Sequence, residues 1–248
     1  MISVEGGLYI ADPWPAIYLE EYDALVFADL HLGIEGVLAE EGLYLPRRVS
    51  KLTLNLVIEA LESVRPSRVI LLGDVKHSFS LLKVSEWVEL KTLFKYLDEH
   101  RYTVDVIKGN HDNYLGVLLD KFNVPFHKER LDLPPYTLIH GHLEHKLNSL
   151  NHIIVMGHEH PSVALKDQSG IVHKFKAFLY GDVSRERKLV VLPAVCELAT
   201  GSTINLMSKE EFLSPLLKAI NLDDFTPYLI VPGKCVQRFP ALSNLRIF

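Results

Sequence analysis

Short apolar runs recur along the chain, each ending in a polar loop that carries glycine or histidine. Ala24–Ala28, Arg68–Leu72, Thr103–Ile107, Tyr136–Ile139 and Ile153–Met156 are rich in Val, Ile and Leu, as strands buried on both faces are. Between the first two, Leu54, Val57, Ile58 and Leu61 repeat at helical spacing, and Pro66 closes that helix. Trp87, Leu90, Phe94 and Leu97 make a second stripe before the third run. Both stripes predict helices that turn an apolar face to the core. After Ser162 the pattern changes. Ser162–Lys166 and Ile171–Phe175 flank Asp167-Gln168-Ser169-Gly170, which predicts a hairpin, and Lys188–Leu192 adds a strand. Ser208 with Glu211 has capping-box spacing and opens a short helical segment that Pro215 interrupts. Strand–helix alternation followed by antiparallel pairing predicts an α/β protein with two packed sheets flanked by helices. No repeat or long linker divides the chain, so residues 1–200 read as the core and 201–248 as a C-terminal extension packed on it.

Composition narrows the class. The chain has 248 residues, 48% of them hydrophobic, which suffices for a substantial core. No apolar run approaches the roughly 18 residues that cross a bilayer, and Met1–Asp12 lacks the basic-then-apolar pattern of a secretory signal. Cys196 and Cys235 fit neither a C-x-x-C pair nor a disulfide framework; they read as two buried thiols in a reducing cytoplasm. A formal net charge of −5 and a pI near 6.2 argue against a broad basic face for duplex DNA.

Histidine changes the picture. Of twelve, six lie between His140 and His160. The residues at the predicted strand ends are Asp29-Leu-His31, Gly73-Asp74, Gly109-Asn110-His111-Asp112, His140-Gly-His142 and Gly157-His158-Glu-His160. Carboxyl ends of strands in α/β sheets converge on one crevice, so all five loops can reach one site. Carboxylates, imidazoles and one amide oxygen, without thiolate, suit Mn²⁺, Fe²⁺ or Zn²⁺. Asp29 and His31 stand at i and i+2, which share a side while the chain is extended, and His158 and His160 repeat the spacing.

In this order the five segments resemble the metallophosphoesterase, or calcineurin-like phosphoesterase, family, with its pattern D-x-H, G-D, G-N-H-[DE], H and G-H-x-H. The likeness spans Asp29 to His160 and is nearest to small archaeal and bacterial phosphoesterases related to DNA-repair nucleases. It implies the metallophosphoesterase fold, an αββα sandwich of two mixed sheets, and a two-metal site. Asp29, His31 and His160 would hold one ion, Asp74 would bridge, and Asn110, His140 and His158 would hold the other. Mn²⁺ is the first expectation for both ions, with Fe or Zn as alternatives. Hydroxide shared by the ions would be the nucleophile. His111 would serve the leaving oxygen as acid or electrostatic stabiliser, with Asp112 orienting its ring. His77, three residues after Asp74, would touch substrate phosphate or stand as a solvent-facing loop histidine, and His142 would touch substrate phosphate or instead replace or support His140 as ligand. His145 and His152 read as surface or strand-edge residues, His100, His127 and His173 as structural, and Arg185 and Arg187 as a charged turn.

The expected activity is hydrolysis of phosphoester bonds, with a phosphodiesterase or nuclease ahead of a phosphomonoesterase on nucleotides or phosphoproteins. A non-catalytic scaffold of the same fold is the reading outside enzymes. The expected partner is a phosphoester, nucleotide or nucleic acid in the cytoplasm and not a membrane.

Overall fold

The computed structural model describes residues 1–44, 49–199 and 201–246. Strands β1 (Ile2–Glu5), β2 (Leu8–Ile10), β3 (Ala16–Leu19) and β4 (Ala24–Phe27) form an antiparallel meander. Helices α1 (Ile34–Glu40) and α2 (Val49–Val64) lead to β5 (Arg68–Leu72), and α3 (Val84–Glu99) leads to β6 (Thr103–Ile107). After the short α4 (Gly116–Leu119) comes β7 (Phe126–His127); β4, β5, β6 and β7 pair in parallel and complete a seven-stranded sheet.

A second sheet follows from β8 (Arg130–Leu133), β9 (Tyr136–Ile139), β10 (Ile153–Met156), β11 (Ser162–Lys166), β12 (Val172–Ser184) and β13 (Arg187–Val191). After α5 (Pro215–Ala219), β14 (Thr226–Val231) and β15 (Cys235–Arg238) extend it, giving the order β15-β14-β12-β13-β10-β9-β8, with β11 paired to β12. Here β9, β10 and β13 are mutually parallel.

The period-2 alternation of strands divides the apolar residues between layers. Val26, Ile70 and Ile107 face the second sheet and meet Leu138, Val155 and Phe178. Leu25, Phe27, Val69 and Leu71 face the other way, onto Val57 and Leu61 of α2 and Leu90 and Phe94 of α3. The outer face of the second sheet is covered by the C-terminal segment, whose Phe212, Leu217 and Phe225 pack on Met156, Leu179 and Val191. Strands covered on both sides read as unbroken apolar runs, which is why β4, β5, β6, β9 and β10 stand out in the sequence.

Some expectations change. The sequence pattern does not predict β1–β3, β14 or β15; β1 and β15 are short and only partly apolar. Pro215 does not interrupt a helix: it is the first residue of α5, where a missing N–H costs nothing, while Lys209–Glu211 form a separate 3₁₀ turn with the Ser208–Glu211 box made. Cys196 is buried as expected, but Cys235 is exposed on β15. Among the described residues, no helix is long and apolar enough to cross a membrane.

Phe225 is 1% exposed and seated on Gly181 of β12, where an added Cβ would overlap its ring. Phe225→Ala should cost about 3–5 kcal/mol, read as a lower urea midpoint at unchanged slope. A loss well below that range would show that the C-terminal segment is not integral to the core.

Candidate metal centre

Asp29 and His31 follow β4, Asp74 follows β5, Asn110 follows β6, His140 follows β9, and His158 and His160 follow β10. The loops are sewn to each other by main chain: Asp29 N–H donates to Gly73 O (3.1 Å), His31 N–H to Asp74 O (2.9 Å) and Gly157 N–H to His140 O (3.1 Å). Across the two sheets, His158 N–H donates to Asp29 Oδ2 (3.0 Å), and His140 Nδ1 lies 3.0 Å from Leu72 O.

The i, i+2 pairs do not share a side in the way an extended chain would produce. Asp29, His31, Asp74, His158 and His160 have φ of 58°, 45°, 48°, 67° and 47°. Left-handed backbone at residues with a Cβ costs roughly 1–2 kcal/mol each, so the strands end abruptly and the turns aim these side chains. Glycine is needed beside them. A Cβ on Gly109 would overlap Asp74 Oδ1 and the Asp74 backbone nitrogen, and one on Gly73, at φ 78°, would overlap the His140 ring.

Three groups of donors result, two of them sharing Asp74 and the third formed by His31, His77 and His111. Asp29, His31, Asp74 and His160 bring one ligand atom each to within 4.8 Å of one another, and Asp74, His140 and His158 do the same. Asn110 Oδ1 joins the second group, 3.1 Å from His140 Nε2. Asp74 therefore belongs to both.

The chemistry of these donors fits divalent cations. Asp29 Oδ1 is buried and accepts no hydrogen bond, although His160 Nε2 stands 3.3 Å away. The Leu72 carbonyl takes the Nδ1–H of His140, which leaves the Nε2 lone pair facing two acceptors, Asn110 Oδ1 at 3.1 Å and Asp74 Oδ2 at 3.4 Å. Three lone pairs converge there, and only a proton or a cation can sit among them. Burial opposes charge on His140, but Asp74 outweighs it and raises the imidazole to about 9. Burial pushes His31 down to about 3 and His158 to about 4, which keeps both neutral and ready to coordinate. Asp74 is held well below the usual carboxylate range: burial works against its charge, and His140 and His31 overcome it.

Beside the two groups that share Asp74, His111 places Nε2 3.8 Å from Asp74 Oδ2. Its ring donates no hydrogen bond to Asp112, contrary to the expected pairing. The Asp112 carboxylate is taken by backbone N–H groups, Oδ1 by Val75 (2.9 Å) and Lys76 (3.3 Å) and Oδ2 by Gly109 (2.8 Å). It fixes the β5 and β6 loops to each other, and the His111 ring is held instead by Nδ1 donating to the His77 carbonyl. The His77 ring stacks on His111 at 5.5 Å between centroids and puts its Nδ1 3.3 Å from His31 Nδ1. His142 is half-buried beside His140 and His158, its Nδ1 unpartnered, and is in none of the donor groups.

Sequence reasoning missed the groups that hold the His77 loop. Lys76, 0% exposed, sends its ammonium to the Ser78 and Ser80 carbonyls. Glu86 at the start of α3 accepts N–H bonds from His77 (3.0 Å), Ser78 (2.6 Å) and Lys83 (2.8 Å). The loop then presents Phe79, 60% exposed, tilted over His111 at 3.7 Å. A lysine next to an apolar strand end was the one available signal. Other histidines have structural partners: His127 pairs with Asp105 (2.7 Å), His173 with Asp167 (2.9 Å), and His100 caps α3 through the Tyr96 carbonyl (2.8 Å).

No family model and no curated protein matches this chain. Among solved structures, the nuclease MPE of Pseudomonas putida superposes with a TM-score of 0.64 at 22% identity over 94% of each chain. A phosphoesterase of E. coli, Yfce, gives 0.45 at 16% identity, covering 88% of this chain and 98% of its own. An archaeal phosphodiesterase gives 0.40 at 13%, with the same two coverages. The fold, two mixed sheets packed face to face and flanked by helices, is thus that of the nuclease. The likeness to the nuclease extends over nearly the whole chain.

Asp29→Ala should empty chiefly the first group and Asn110→Ala should weaken chiefly the second, read by titrating Mn²⁺ into the metal-free protein. Identical losses in both variants would refute the division. Gly109→Ala should abolish high-affinity uptake, because Asp74 must move; unchanged uptake would mean that Asp74 is not held where the backbone places it.

Proposed function

We propose that this chain is a metal-dependent phosphoesterase acting on phosphodiesters, with nucleotides or short single strands of nucleic acid as substrate and Mn²⁺ as the first metal, Fe or Zn being alternatives. The observation that carries the reading is the pair of donor groups sharing Asp74, with His111 beside them. Asp29, His31 and His160 would hold one ion, Asn110, His140 and His158 the other, with Asp74 between. Two such ions, when bound, attract the phosphate and supply a water-derived nucleophile at neutral pH. The residues of the chain do the rest. His111, with Nδ1–H anchored on the His77 carbonyl, turns Nε2 to the site, and as imidazolium it would give its Nε2 proton to the leaving oxygen. His77, beside His31 and His111, and His142, beside His140 and His158, would contact phosphate oxygens. The acidic net charge favours short strands over duplex, and the free thiols suit a reducing cytoplasm.

The test is hydrolysis of bis(p-nitrophenyl) phosphate, p-nitrophenyl phosphate and a single-stranded oligonucleotide with and without Mn²⁺. Diester cleavage dependent on the metal is expected; absence of it with every substrate refutes the proposal, and cleavage of the monoester alone makes the chain a phosphomonoesterase.

His111→Gln should leave metal uptake intact and slow oligonucleotide cleavage by about 10²–10⁴-fold. Nitrophenolate leaves without a proton, so the loss on the nitrophenyl diester should be much smaller. Equal losses would assign His111 to charge stabilisation at the phosphoryl oxygens.

A further inference from the structure

Glu159 separates the two histidines of the Gly157–His160 loop. Its neighbours turn towards the donor groups, and its own side chain turns inward, 0% exposed. Its carboxylate is met by one segment. Oε1 accepts from the Ser202 hydroxyl, Leu213 N–H bridges both oxygens (3.1 and 3.0 Å), and Ser214 N–H donates to Oε2 (2.9 Å). The main chain joins in: Ser202 N–H donates to Glu159 O (3.3 Å), and Ser162 N–H donates to Ser202 O (2.9 Å). Gly201 lies so close that a Cβ there would overlap the His160 backbone carbonyl. The Ser214 hydroxyl, also fully buried, donates to Gly141 O (2.9 Å), one residue after His140.

We propose that residues 201–214 form a strap that fixes the imidazoles contributed by the second sheet, with Glu159 as the positioning residue through which it acts. The proposal rests on the metal-centre reading above. His158 and His160 hold left-handed backbone that would relax if unsupported, and such conformations persist only where the surroundings over-determine them. Glu159 supplies that constraint at the middle of the loop, while Ser214 ties the neighbouring His140 loop to the same segment. A carboxylate is required. Glutamine has one acceptor oxygen and would turn an NH₂ group towards N–H groups that are themselves donors.

The experiment compares Glu159→Gln, Ser214→Ala and Asp105→Asn with the unsubstituted full chain. Each is measured for Mn²⁺ affinity of the metal-free protein by calorimetry, for its melting temperature without metal, and for diester hydrolysis against Mn²⁺ concentration. Asp105 is buried in an ion pair with Arg68 (2.7 Å) and His127, and has no contact with the strap among the described bonds, so its variant reports general destabilisation. Glu159→Gln should weaken Mn²⁺ binding about 10–100-fold, as loss of a partner that orients ligands does, with hydrolysis recovering at high Mn²⁺. Ser214→Ala should weaken it to a smaller degree, and carries the test should Glu159→Gln not fold. Asp105→Asn should melt earlier with unchanged affinity. Unchanged affinity in both strap variants overturns the proposal, as does an equal loss in Asp105→Asn. An unsubstituted chain that takes up no Mn²⁺ overturns the metal-centre reading and, with it, the strap's purpose.

Discussion

A carboxylate shut away from water at the end of β5 governs the arrangement of this protein. Asp74 is 2% exposed, with the imidazoles of His31, His111 and His140 between 3.4 and 4.0 Å from Oδ2 and the His111 N–H on Oδ1 (2.9 Å). A buried negative charge has to be compensated locally. Compensation here is built from loops of both sheets, so the chain must deliver five strand ends to one point. The glycines at 73 and 109, the left-handed residues and the backbone duties of Asp112 all follow from crowding those ends together.

Much of this was legible in the sequence, for a physical reason. A strand with layers on both sides has no polar face, so β4, β5, β6, β9 and β10 were found to within a residue of their limits, and the chemistry-bearing residues sit where those runs stop. The helices betrayed themselves by the stripes they turn to the first sheet. The outer strands were not legible: β1 and β15 are exposed along much of their length, and residues such as Ser3 and Gln237 dilute the pattern. Linear proximity also misled. Asp112 follows His111 directly, yet its side chain serves backbone across the loop, and the group that holds the His111 ring is a carbonyl 34 residues earlier. A carbonyl leaves no trace in residue identity.

The loop after Asp74 shows the same limit from another side. Lys76 and Glu86 both hold it, the ammonium gathering carbonyls and the carboxylate gathering N–H groups. Neither residue type in that position signals its partner, because what it binds is main chain whose direction is set by the fold. The result is that His77 and Phe79 project beside His111 from a segment whose main chain is held by Lys76 and Glu86.

The donors come from opposite layers. Asp29, His31 and Asp74 extend from the first sheet, whereas His140, His158 and His160 extend from the second. A cation held between them is therefore a rivet through the sandwich, and its binding energy is shared with the cohesion of the two sheets. Occupancy at a hundred times the dissociation constant adds about 2.7 kcal/mol per independent site to the folded state. If the chain binds such cations, metal supply and resistance to unfolding are linked, and a shortage of metal would loosen the seam between the layers along with the site that lies across it.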